Sequence, residues 1–378
     1  MKIFLVGDFP ADDKTYGGVE GVLVNLAHGL IERPEIEVVL VSIAKDSQFN
    51  IFKGKSKTYK IDFRSSFIKA KNKFNEIVDT ERPDIIHIQG VVPGVLLFRK
   101  GYRNIFVVTQ HAILSEERLW QVSLKRKLLF NLKQLIENYY LKRIKNIIFI
   151  SEYNRKIYLE KASKNRVLNS ALIPNPVNEL FFQTHFDIEL SKSNELYFVG
   201  EVKKRKGLHV LLKAIYILKQ NNISCRLHVI GGFKEKPYEA KVKKMIASLD
   251  ISENIVFCGW KNQKEIVEYS YNIPVFVLPS FQETLPLSIA EAMSQGKIVI
   301  ATNICGIPEM IEDGVSGYLF SKGNAPELAH VLEKAFEDDD RQKRIAKNAL
   351  SMSKKYHPKN VLDKTLDFYN NVMTKNSD

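Results

Sequence analysis

The sequence predicts an α/β protein built from two doubly wound parallel sheets, one in each half of the 378-residue chain. Short β-branched apolar runs alternate with helical patterns, which is typical of parallel strands covered by helices on both faces. The alternation is interrupted once, around Asn175-Pro-Val-Asn178, and then begins again. The chain is also long enough for two domains of ordinary size.

The first half contains a series of apolar runs that we interpret as strands, separated by stretches with helical periodicity. The predicted strands are Lys2–Val6, Val38–Val41, Ile85–Gln89, Ile105–Thr109, Ile147–Ile150 and Val167–Ile173. The predicted helices begin at Gly18, Ser66, Val95, Leu119 and Glu152. We therefore expect residues 1–178 to form an N-terminal Rossmann-like domain.

Residues 179–194 are mixed and polar, and we interpret them as an interdomain linker. The predicted strands after it are Leu196–Gly200, Arg226–Ile230, Ile255–Cys258, Val275–Pro279, Ile298–Ala301 and Tyr318–Phe320. The predicted helices begin near Leu208, Tyr238, Gln263, Leu287, Pro308, Ala325 and Arg341. We expect residues 195–357 to form a second Rossmann-like domain that faces the first across a cleft. Residues 358–378 would form a final helix, with its amphipathic pattern at 360–373.

Composition favours a soluble globular protein of a reducing compartment. Hydrophobic residues make up 45% of the chain, and no apolar run approaches the ~18–20 residues that span a bilayer. The start, Met1-Lys-Ile-Phe-Leu, is typical of a first strand rather than a signal peptide. Cys225, Cys258 and Cys305 are odd in number and widely spaced, so we expect a cytoplasmic location.

The net charge of +13 is concentrated in the first half, where residues 1–180 hold 29 Lys and Arg against 19 Asp and Glu. Such an excess indicates an anionic partner, namely a membrane, an acceptor or a nucleic acid. The bases cluster in segments 53–73 and 118–145, the second with Glu137 as its one acid. No nucleic-acid-binding motif accompanies them, so we expect no nucleic-acid partner.

Segment 118–145 also carries an apolar stripe at helical spacing. Its members are Leu124, Leu128, Leu132, Leu135 and Tyr139. A basic amphipathic helix is typical of a membrane-surface element, which would place the protein peripherally on the inner face of the cytoplasmic membrane. The same stripe is equally typical of an ordinary helix that faces a protein core. The sequence leaves both interpretations open.

Two carboxylates in the second half stand at a distinctive spacing. Glu283 and Glu291 are eight residues apart, after the predicted strand Val275–Pro279 and into the helix that begins near Leu287. Ligands of open α/β sheets bind at the carboxyl ends of strands, and a helix start offers free N–H groups to an anion. The arrangement suits a molecule with hydroxyls at both ends and phosphate between them, such as a nucleotide-sugar.

These residues belong to a series of motifs in which the chain, from about residue 1 to 370, resembles retaining glycosyltransferases of family 4, also called glycosyl transferases group 1. The motifs are Gly17-Gly18-Val-Glu20, Asp84-Ile-Ile-His87, Gln110-His111, Ile173-Pro-Asn-Pro176, Gly200 with Lys206-Gly207, Ile230-Gly-Gly232, Phe257-Cys-Gly259, Glu283 to Glu291, and Gly306-Ile-Pro-Glu309. The resemblance implies a GT-B fold. Its C-terminal domain would bind the nucleotide-sugar, its N-terminal domain would receive the acceptor, and its last helix would cross back.

The resemblance implies roles for both acids and for the residues between them. Glu291 would bind the ribose, because a carboxylate can accept hydrogen bonds from both ribose hydroxyls. Glu283 would lie beside the donor sugar, where it could accept hydrogen bonds from sugar hydroxyls or stabilise positive charge at the anomeric carbon. The amides of Thr284, Leu285 and Leu287 would face the diphosphate or sugar. Pro286, which has no N–H, would occupy the first helical turn.

The loop after the first strand of the second domain would hold the diphosphate. Gly200 precedes it, and Lys206 is the expected counter-ion, with Arg205 beside it. The family usually has an arginine directly after the glycine, whereas this chain has Glu201. We expect Lys203, Lys204 or Arg205 to supply the missing charge.

In the first domain, the resemblance assigns donor binding to Gly17 and Gly18 and a catalytic role near the donor sugar to His111. Glycine allows the backbone to approach phosphate or sugar closely. His87 ends another strand, and we expect it to pack rather than to act in catalysis. No Asp-x-Asp motif stands at a strand end, and Asp338-Asp-Asp340 is typical of a solvated helix start. We therefore expect no metal and no cofactor, with the nucleotide-sugar as a co-substrate.

The predicted function is retaining, metal-independent transfer of a hexose from a UDP-sugar, or alternatively a GDP-sugar, to a glycan or lipid-linked acceptor in cell-surface polysaccharide or glycolipid synthesis. A nucleotide-sugar 2-epimerase of the same fold is one alternative. A non-catalytic sugar-nucleotide-binding protein is another, favoured by Glu201. A dinucleotide oxidoreductase is disfavoured, because no Gly-x-Gly-x-x-Gly follows the first strand.

Overall fold

The computed structural model describes residues 1–10, 18–43, 49, 52–62, 66–90, 94–102, 105–121, 123–161, 169–183, 193–336 and 340–377. The chain forms two compact units. The first consists of Met1–Pro176 and Pro358–Asp378, and the second of Val177–His357. Each unit contains its own parallel sheet.

The first unit is built on a sheet of seven parallel strands. They are β1 (Lys2–Gly7), β2 (Glu37–Ser42), β3 (Lys57–Lys60), β4 (Ile85–Gln89), β5 (Phe106–Gln110), β6 (Asn146–Phe149) and β7 (Asn169–Leu172). Their order is β3-β2-β1-β4-β5-β6-β7. Strand order therefore reverses between β1 and β4, which is where doubly wound sheets bind ligands.

The strand β3 is absent from the sequence-based prediction. Its residues Lys57-Thr-Tyr-Lys60 are mostly exposed, and it lies at the edge of the sheet beside β2. Strands at a sheet edge commonly carry lysines, which hide the strand pattern that buried apolar runs reveal.

Helices cover both faces of this sheet. They are α1 (Val19–Ile31), α2 (Phe67–Glu81), α3 (Leu114–Glu117), α4 (Leu124–Leu141), α5 (Glu152–Lys161) and the C-terminal helix Pro358–Ser377. The helix α1 and the C-terminal helix share one apolar core, which includes Leu30 and Tyr369. The other core contains Phe74 of α2, Leu141 of α4 and Tyr158 of α5. The C-terminal segment therefore packs within the first unit.

Two predicted helix starts in this unit differ from the structure. The stretch expected to begin at Val95 is only a 3-10 turn, Gly94–Leu97. The helix expected from Leu119 begins at Leu124, after the short α3 and another 3-10 turn. Ser123 caps it, because its side chain accepts a hydrogen bond from the Arg126 amide at 3.2 Å.

The second unit contains six parallel strands. They are β8 (Glu195–Val199), β9 (Arg226–Ile230), β10 (Ile255–Gly259), β11 (Val275–Leu278), β12 (Ile298–Thr302) and β13 (Tyr318–Phe320), in the order β10-β9-β8-β11-β12-β13. Its helices are α6 (Leu180–Gln183), α7 (Leu208–Gln220), α8 (Lys236–Ser248), α9 (Gln263–Ser270), α10 (Leu287–Ser294), α11 (Ala325–Ala335) and α12 (Asp340–Ser353), which makes the C-terminal helix α13.

The interval expected to be a linker, 179–194, is partly helical. Residues Leu180–Gln183 form α6, which packs against α9 and α10 of the second unit. The side chain of Phe181 is buried in the contact of α6 with α9 and α10, and burial of this apolar side chain stabilises the contact. Residues 184–192 of the expected linker lie outside the described residues, as do residues 338–339 of the acidic run before α12.

Candidate functional site

The second sheet reverses its strand order between β8 and β11, and the loops that follow these two strands meet. The amide of Phe281 donates to the carbonyl oxygen of Arg205 at 2.8 Å. Gly207 permits the contact, since a Cβ at this position would lie 1.8 Å from the carbonyl oxygen of Pro279. Its φ of +73° also favours glycine. The site thus forms where a doubly wound sheet binds its ligand.

The two loops join through a cluster of charged side chains. The ammonium of Lys206 lies 2.7 Å from Oε1 of Glu283, and Nη1 of Arg205 lies 3.6 Å from Oε2 of the same carboxylate. Ser280 donates its hydroxyl to Oε1 of Glu283 at 2.8 Å. Arg205 also donates to Oε1 of Gln282 at 3.1 Å and to its carbonyl oxygen. The cluster orients the carboxylate in a buried position.

The charge of Glu283 depends on its basic neighbours. Burial by itself raises the pKa of this carboxyl, but Lys206 and Arg205 oppose burial and hold the pKa below its ordinary value. Glu283 is therefore ionised near neutral pH. A carboxylate so placed can accept hydrogen bonds from hydroxyl groups or stabilise a developing positive charge.

Glu291 lies within α10, eight residues after Glu283, and has a different electrostatic environment. Burial raises the pKa of its carboxyl to about 7, while the positive charge of Lys206 lowers it. Burial raises the pKa of Tyr197 on β8, and the negative charge of Glu291 adds a smaller increase. Lys206 therefore acts electrostatically on both acids. Their protonation differs because only Glu283 has direct basic partners.

The residues between the acids lead into α10. Thr284 and Leu285 are buried, and the helix begins at Leu287. The sequence placed Pro286 in the first helical turn. In the structure it is instead the N-cap residue, because its ψ of 117° is extended and not helical. The first amides of the helix have no intrahelical acceptor, so this end of α10 offers N–H groups to an anion.

Glu201, which stands where the sequence suggested a missing arginine, is paired with bases. Its Oε2 lies 3.5 Å from Nζ of Lys203 and 3.3 Å from Nζ of Lys234. Burial by itself raises the pKa of Glu201, but the positive charges of these two lysines hold it below its ordinary value. Gly200 precedes it, and the Gly200 amide donates to the Ile230 carbonyl at 2.9 Å. The negative charge of Glu201 is therefore locally balanced.

In the first unit, His111 follows β5 and is buried against the end of β4. Its Nε2 lies 2.6 Å from Oε1 of Gln89. Because an amide oxygen can only accept a hydrogen bond, the proton of the neutral ring is on Nε2. Burial lowers the pKa of His111 to about 4, so the ring is neutral at pH 7. Gln89 in turn contacts His87, which is held by Thr109 and by Tyr369 of α13. His87 thus lies within a buried polar chain.

Of the two glycines expected to bind the donor, Gly17 lies outside the described residues. Gly18 is the N-cap of α1, with φ of 59° and ψ of −131°. A side chain would be strained in this conformation. The space that a Cβ would occupy is open, so the strained backbone and not the packing accounts for a glycine here.

Two family models match successive parts of this sequence. The model described as Glycosyltransferase Family 4 matches residues 16–179, and the one described as Glycosyl transferases group 1 matches residues 182–352. The chain belongs to glycosyltransferase family 4.

Individual relatives agree with this family. Over 140 residues the chain is 36% identical to the amylovoran biosynthesis glycosyltransferase AmsK of Erwinia amylovora, a stretch that covers 35% of the chain and 34% of AmsK. The chain thus spans about a third of the length of that relative. Over 366 residues it is 22% identical to an uncharacterized glycosyltransferase of Haemophilus influenzae, which covers 95% of the chain and 98% of that protein.

A solved structure of Anabaena HepE in complex with UDP has the same fold. It superposes with a TM-score of 0.77 at 18% identity, over 98% of this chain and 100% of HepE. The two parallel-sheet units of this family 4 chain are therefore those of the GT-B fold.

The structure brings together some of the site residues that the sequence singled out. The carboxylate of Glu283 contacts both Arg205 and Lys206. The charge of Lys206 also lowers the pKa of Glu291. Gly18 and His111 belong to the first unit.

Three further residues contact the predicted site residues but were not predicted from the sequence, namely Ser280, Gln89 and Lys234. Ser280 and Gln89 could have been noticed because both lie at or just after the carboxyl end of a strand. Within the described part of the chain, no group of three or more His, Cys, Asp or Glu side chains is placed to hold a metal ion.

Proposed function

We propose that the chain transfers a hexose from a nucleoside-diphosphate sugar to a glycan or lipid-linked acceptor, with retention of anomeric configuration. The observation that carries this proposal is the cluster of Lys206, Arg205 and Glu283 beside the start of α10. It combines cations and amides for a diphosphate with a carboxylate for a sugar. Family membership supports glycosyl transfer over other chemistry.

In this proposal the second unit binds the donor. Glu291 accepts from the ribose hydroxyls, Lys206 and Arg205 neutralise the diphosphate, and the amides around Thr284, Leu285 and Leu287 complete the phosphate site. Glu283 accepts from hydroxyls of the sugar. Gly200 allows the diphosphate to approach the backbone. We propose UDP as the nucleotide, with GDP as the alternative, and the UDP complex of HepE supports the choice.

The first unit, in this proposal, receives the acceptor, and His111 orients substrate. Since His111 is neutral at pH 7 with its proton on Nε2, its Nδ1 can accept a hydrogen bond from a substrate hydroxyl, which keeps its own proton until the diphosphate takes it. We assign donor binding also to Gly17 and Gly18, on sequence grounds.

The proposed reaction needs no nucleophile from the protein. The acceptor oxygen attacks the anomeric carbon on the face from which the diphosphate leaves. The bond between that carbon and the phosphate oxygen breaks, and the hydroxyl proton passes to the departing diphosphate. Glu283 stabilises the positive charge that develops on the sugar. We further propose that no metal ion or other cofactor takes part, and activity that is abolished by EDTA would contradict this.

The proposed setting is the assembly of a cell-surface polysaccharide or glycolipid in the cytoplasm of a bacterium. The name of AmsK, a glycosyltransferase of amylovoran biosynthesis, supports this setting. No helix in the described part of the chain has the length and apolar character needed to cross a membrane.

The decisive experiment has two stages. UDP, GDP and other nucleoside diphosphates are first compared by thermal stabilisation of the purified protein, and the matching sugar donors are then tested for release of the nucleotide with a glycan acceptor. Stabilisation by one nucleotide and acceptor-dependent release are expected. The anomeric configuration of the product, read by NMR, tests retention.

A nucleotide-sugar 2-epimerase remains the alternative for the same fold. Incubation with the donor alone separates the two reactions, because an epimerase converts the donor without an acceptor. Complete epimerisation under these conditions would exclude the transferase. Binding of the nucleotide without turnover of any donor would favour a non-catalytic sugar-nucleotide-binding protein.

A further inference from the structure

Helix α4 exposes its apolar side to solvent. The leucine stripe, defined as Leu124, Leu128, Leu132, Leu135 and Tyr139, follows one face of the helix, and its side chains are 74%, 59%, 55%, 67% and 53% exposed. The buried side instead contains Glu137 and Leu141. Surface helices of soluble proteins turn their apolar stripe toward the core. The ordinary core-facing interpretation of this stripe is therefore wrong.

Basic side chains border the leucine stripe. Lys125 and Lys127 lie beside it, within about 100° around the helix axis on either side. Both lysines are exposed, and neither forms an ion pair with a carboxylate of any described residue. Long basic side chains at such positions can extend to anionic headgroups while leucines enter the apolar layer.

The first turns of α2 have a similar character. Phe67 and Ile68 are 40% and 70% exposed, and Lys69, Lys71 and Lys73 surround them. Both α2 and α4 contribute to the apolar core on one face of the first sheet. Both also contact the 3-10 turn Gly94–Leu97 between them. The two basic, apolar elements therefore lie on the same side of the first unit.

We propose that α4 is an interfacial helix that lies on an anionic lipid bilayer. Its leucine stripe enters the boundary between headgroups and acyl chains, while its lysines bind the headgroups. The start of α2 forms a second, smaller contact with the same surface. Elsewhere in segment 53–73, Lys57 pairs with Glu81 within the first unit. This membrane contact goes beyond the proposed transfer reaction, and it would hold the enzyme where lipid-linked acceptors are found.

A second copy of the chain is the competing occupant of the stripe. A two-fold interface would place the same surface of α4 against itself. Lys125 and Lys127 would then face the same bases of the partner, and like charges at close range oppose association. An anionic bilayer matches the bases and the leucines together, so charge complementarity favours lipid.

The test is flotation of the purified full chain with vesicles of phosphatidylcholine alone and with 30% phosphatidylglycerol. Three variants are compared with the wild type. One carries Leu128→Ser, Leu132→Ser and Leu135→Ser, and another carries Lys125→Gln and Lys127→Gln. The third is a charge-matched control in the second unit, with Lys236→Gln and Lys244→Gln, both of which are exposed.

We expect the wild type and the control to bind the anionic vesicles alike, and the neutral vesicles far less. Removal of the two lysines beside the stripe should weaken partition by about 25-fold, since each contributes about fivefold. The leucine variant should lose binding at least as strongly. All side chains changed are exposed, so the thermal midpoint should hardly move.

Two outcomes would overturn the proposal. Equal binding of all four proteins would show that α4 is not the contact. A dimer in light scattering that dissociates in the leucine variant, with no vesicle binding, would assign the stripe to a second copy. Since no donor or acceptor is present in flotation, the result is independent of whether the transfer reaction is correct.

Discussion

Lys206 and Glu283 form an ion pair with 2.7 Å between Nζ and Oε1. The base expected at the diphosphate and the acid expected at the donor sugar are therefore direct partners and not separate contacts. Both are largely buried, with 14% and 8% of their side chains exposed. Removing either partner leaves the other charge in a poorly solvated place, so stability and activity are linked at this site.

The first prediction separates these two effects. Lys206→Ala should abolish most activity and, because it leaves Glu283 buried beside Arg205 alone, should also cost about 3–5 kcal/mol of stability. The double variant Lys206→Ala with Glu283→Gln should regain much of the stability but none of the activity. Denaturant unfolding and nucleotide release are the measurements. Full activity of Lys206→Ala would move the diphosphate role to another base.

The second prediction concerns Glu291. Glu291→Ala should weaken UDP binding by about 10- to 150-fold, the loss of one charge-assisted hydrogen bond of about 1.5–3 kcal/mol. Glu268→Ala on the exposed surface of α9 is the control, and its affinity should equal that of the wild type. Both are measured by calorimetry. An unchanged affinity of Glu291→Ala would contradict the assignment of this acid to ribose.

The third prediction follows from the pKa of Glu291, which burial raises to about 7. Because the ionised carboxylate is the better acceptor, UDP affinity should rise about tenfold between pH 6 and pH 8. The Glu291→Gln variant should lack this rise in affinity. Any pH dependence that the variant keeps reports the titration of UDP itself and is subtracted. If UDP affinity has the same pH dependence in the wild type and in Glu291→Gln, titration of Glu291 does not control UDP binding.

The same shift has a consequence for stability. A raised pKa means that the folded protein holds the Glu291 proton more tightly than the unfolded chain does. The stabilisation is therefore complete below the unfolded value of 4.5 and is lost as pH rises through about 7. Glu291→Gln should remove this part of the pH dependence of unfolding.

The fourth prediction compares two glycines with similar φ angles, Gly207 at +73° and Gly259 at +67°. Alanine at either position costs roughly 1–2 kcal/mol of backbone strain. Only at Gly207 would the new Cβ meet another backbone atom, the Pro279 carbonyl oxygen at 1.8 Å, whereas Gly259 faces open space. Gly207→Ala should thus destabilise the protein more and also impair UDP binding. Equal thermal midpoints of the two variants would contradict the close loop contact.

The fifth prediction concerns Glu201. Glu201→Gln should strengthen UDP binding severalfold, since it frees Lys203 and Lys234 from a carboxylate near the expected diphosphate. Glu253→Gln, on the surface of the same unit, is the control. Weaker binding by Glu201→Gln would instead indicate that Glu201 positions Lys203 for the phosphate.

The sequence by itself determined the alternation of strands and helices in both units, although it missed β3, α3 and α6. All six strands of the second sheet and all but one of the first follow from apolar runs, because buried parallel strands need continuous apolar residues. It also determined that Glu283 and Glu291 flank a helix start, since their spacing is local. The missed strand, Lys57–Lys60, is an edge strand whose stability comes from its neighbour β2.

Only the tertiary structure decided which side chains meet. Lys206 and Glu283 are 77 positions apart, and they pair because β8 and β11 are neighbours in the sheet. The pairing of Glu201 with Lys234 likewise depends on contacts between loops. The leucine stripe of α4 gives the same periodic pattern whether it faces a core or the outside. Its direction is fixed by which residues fill the space under the helix, and that is a property of packing.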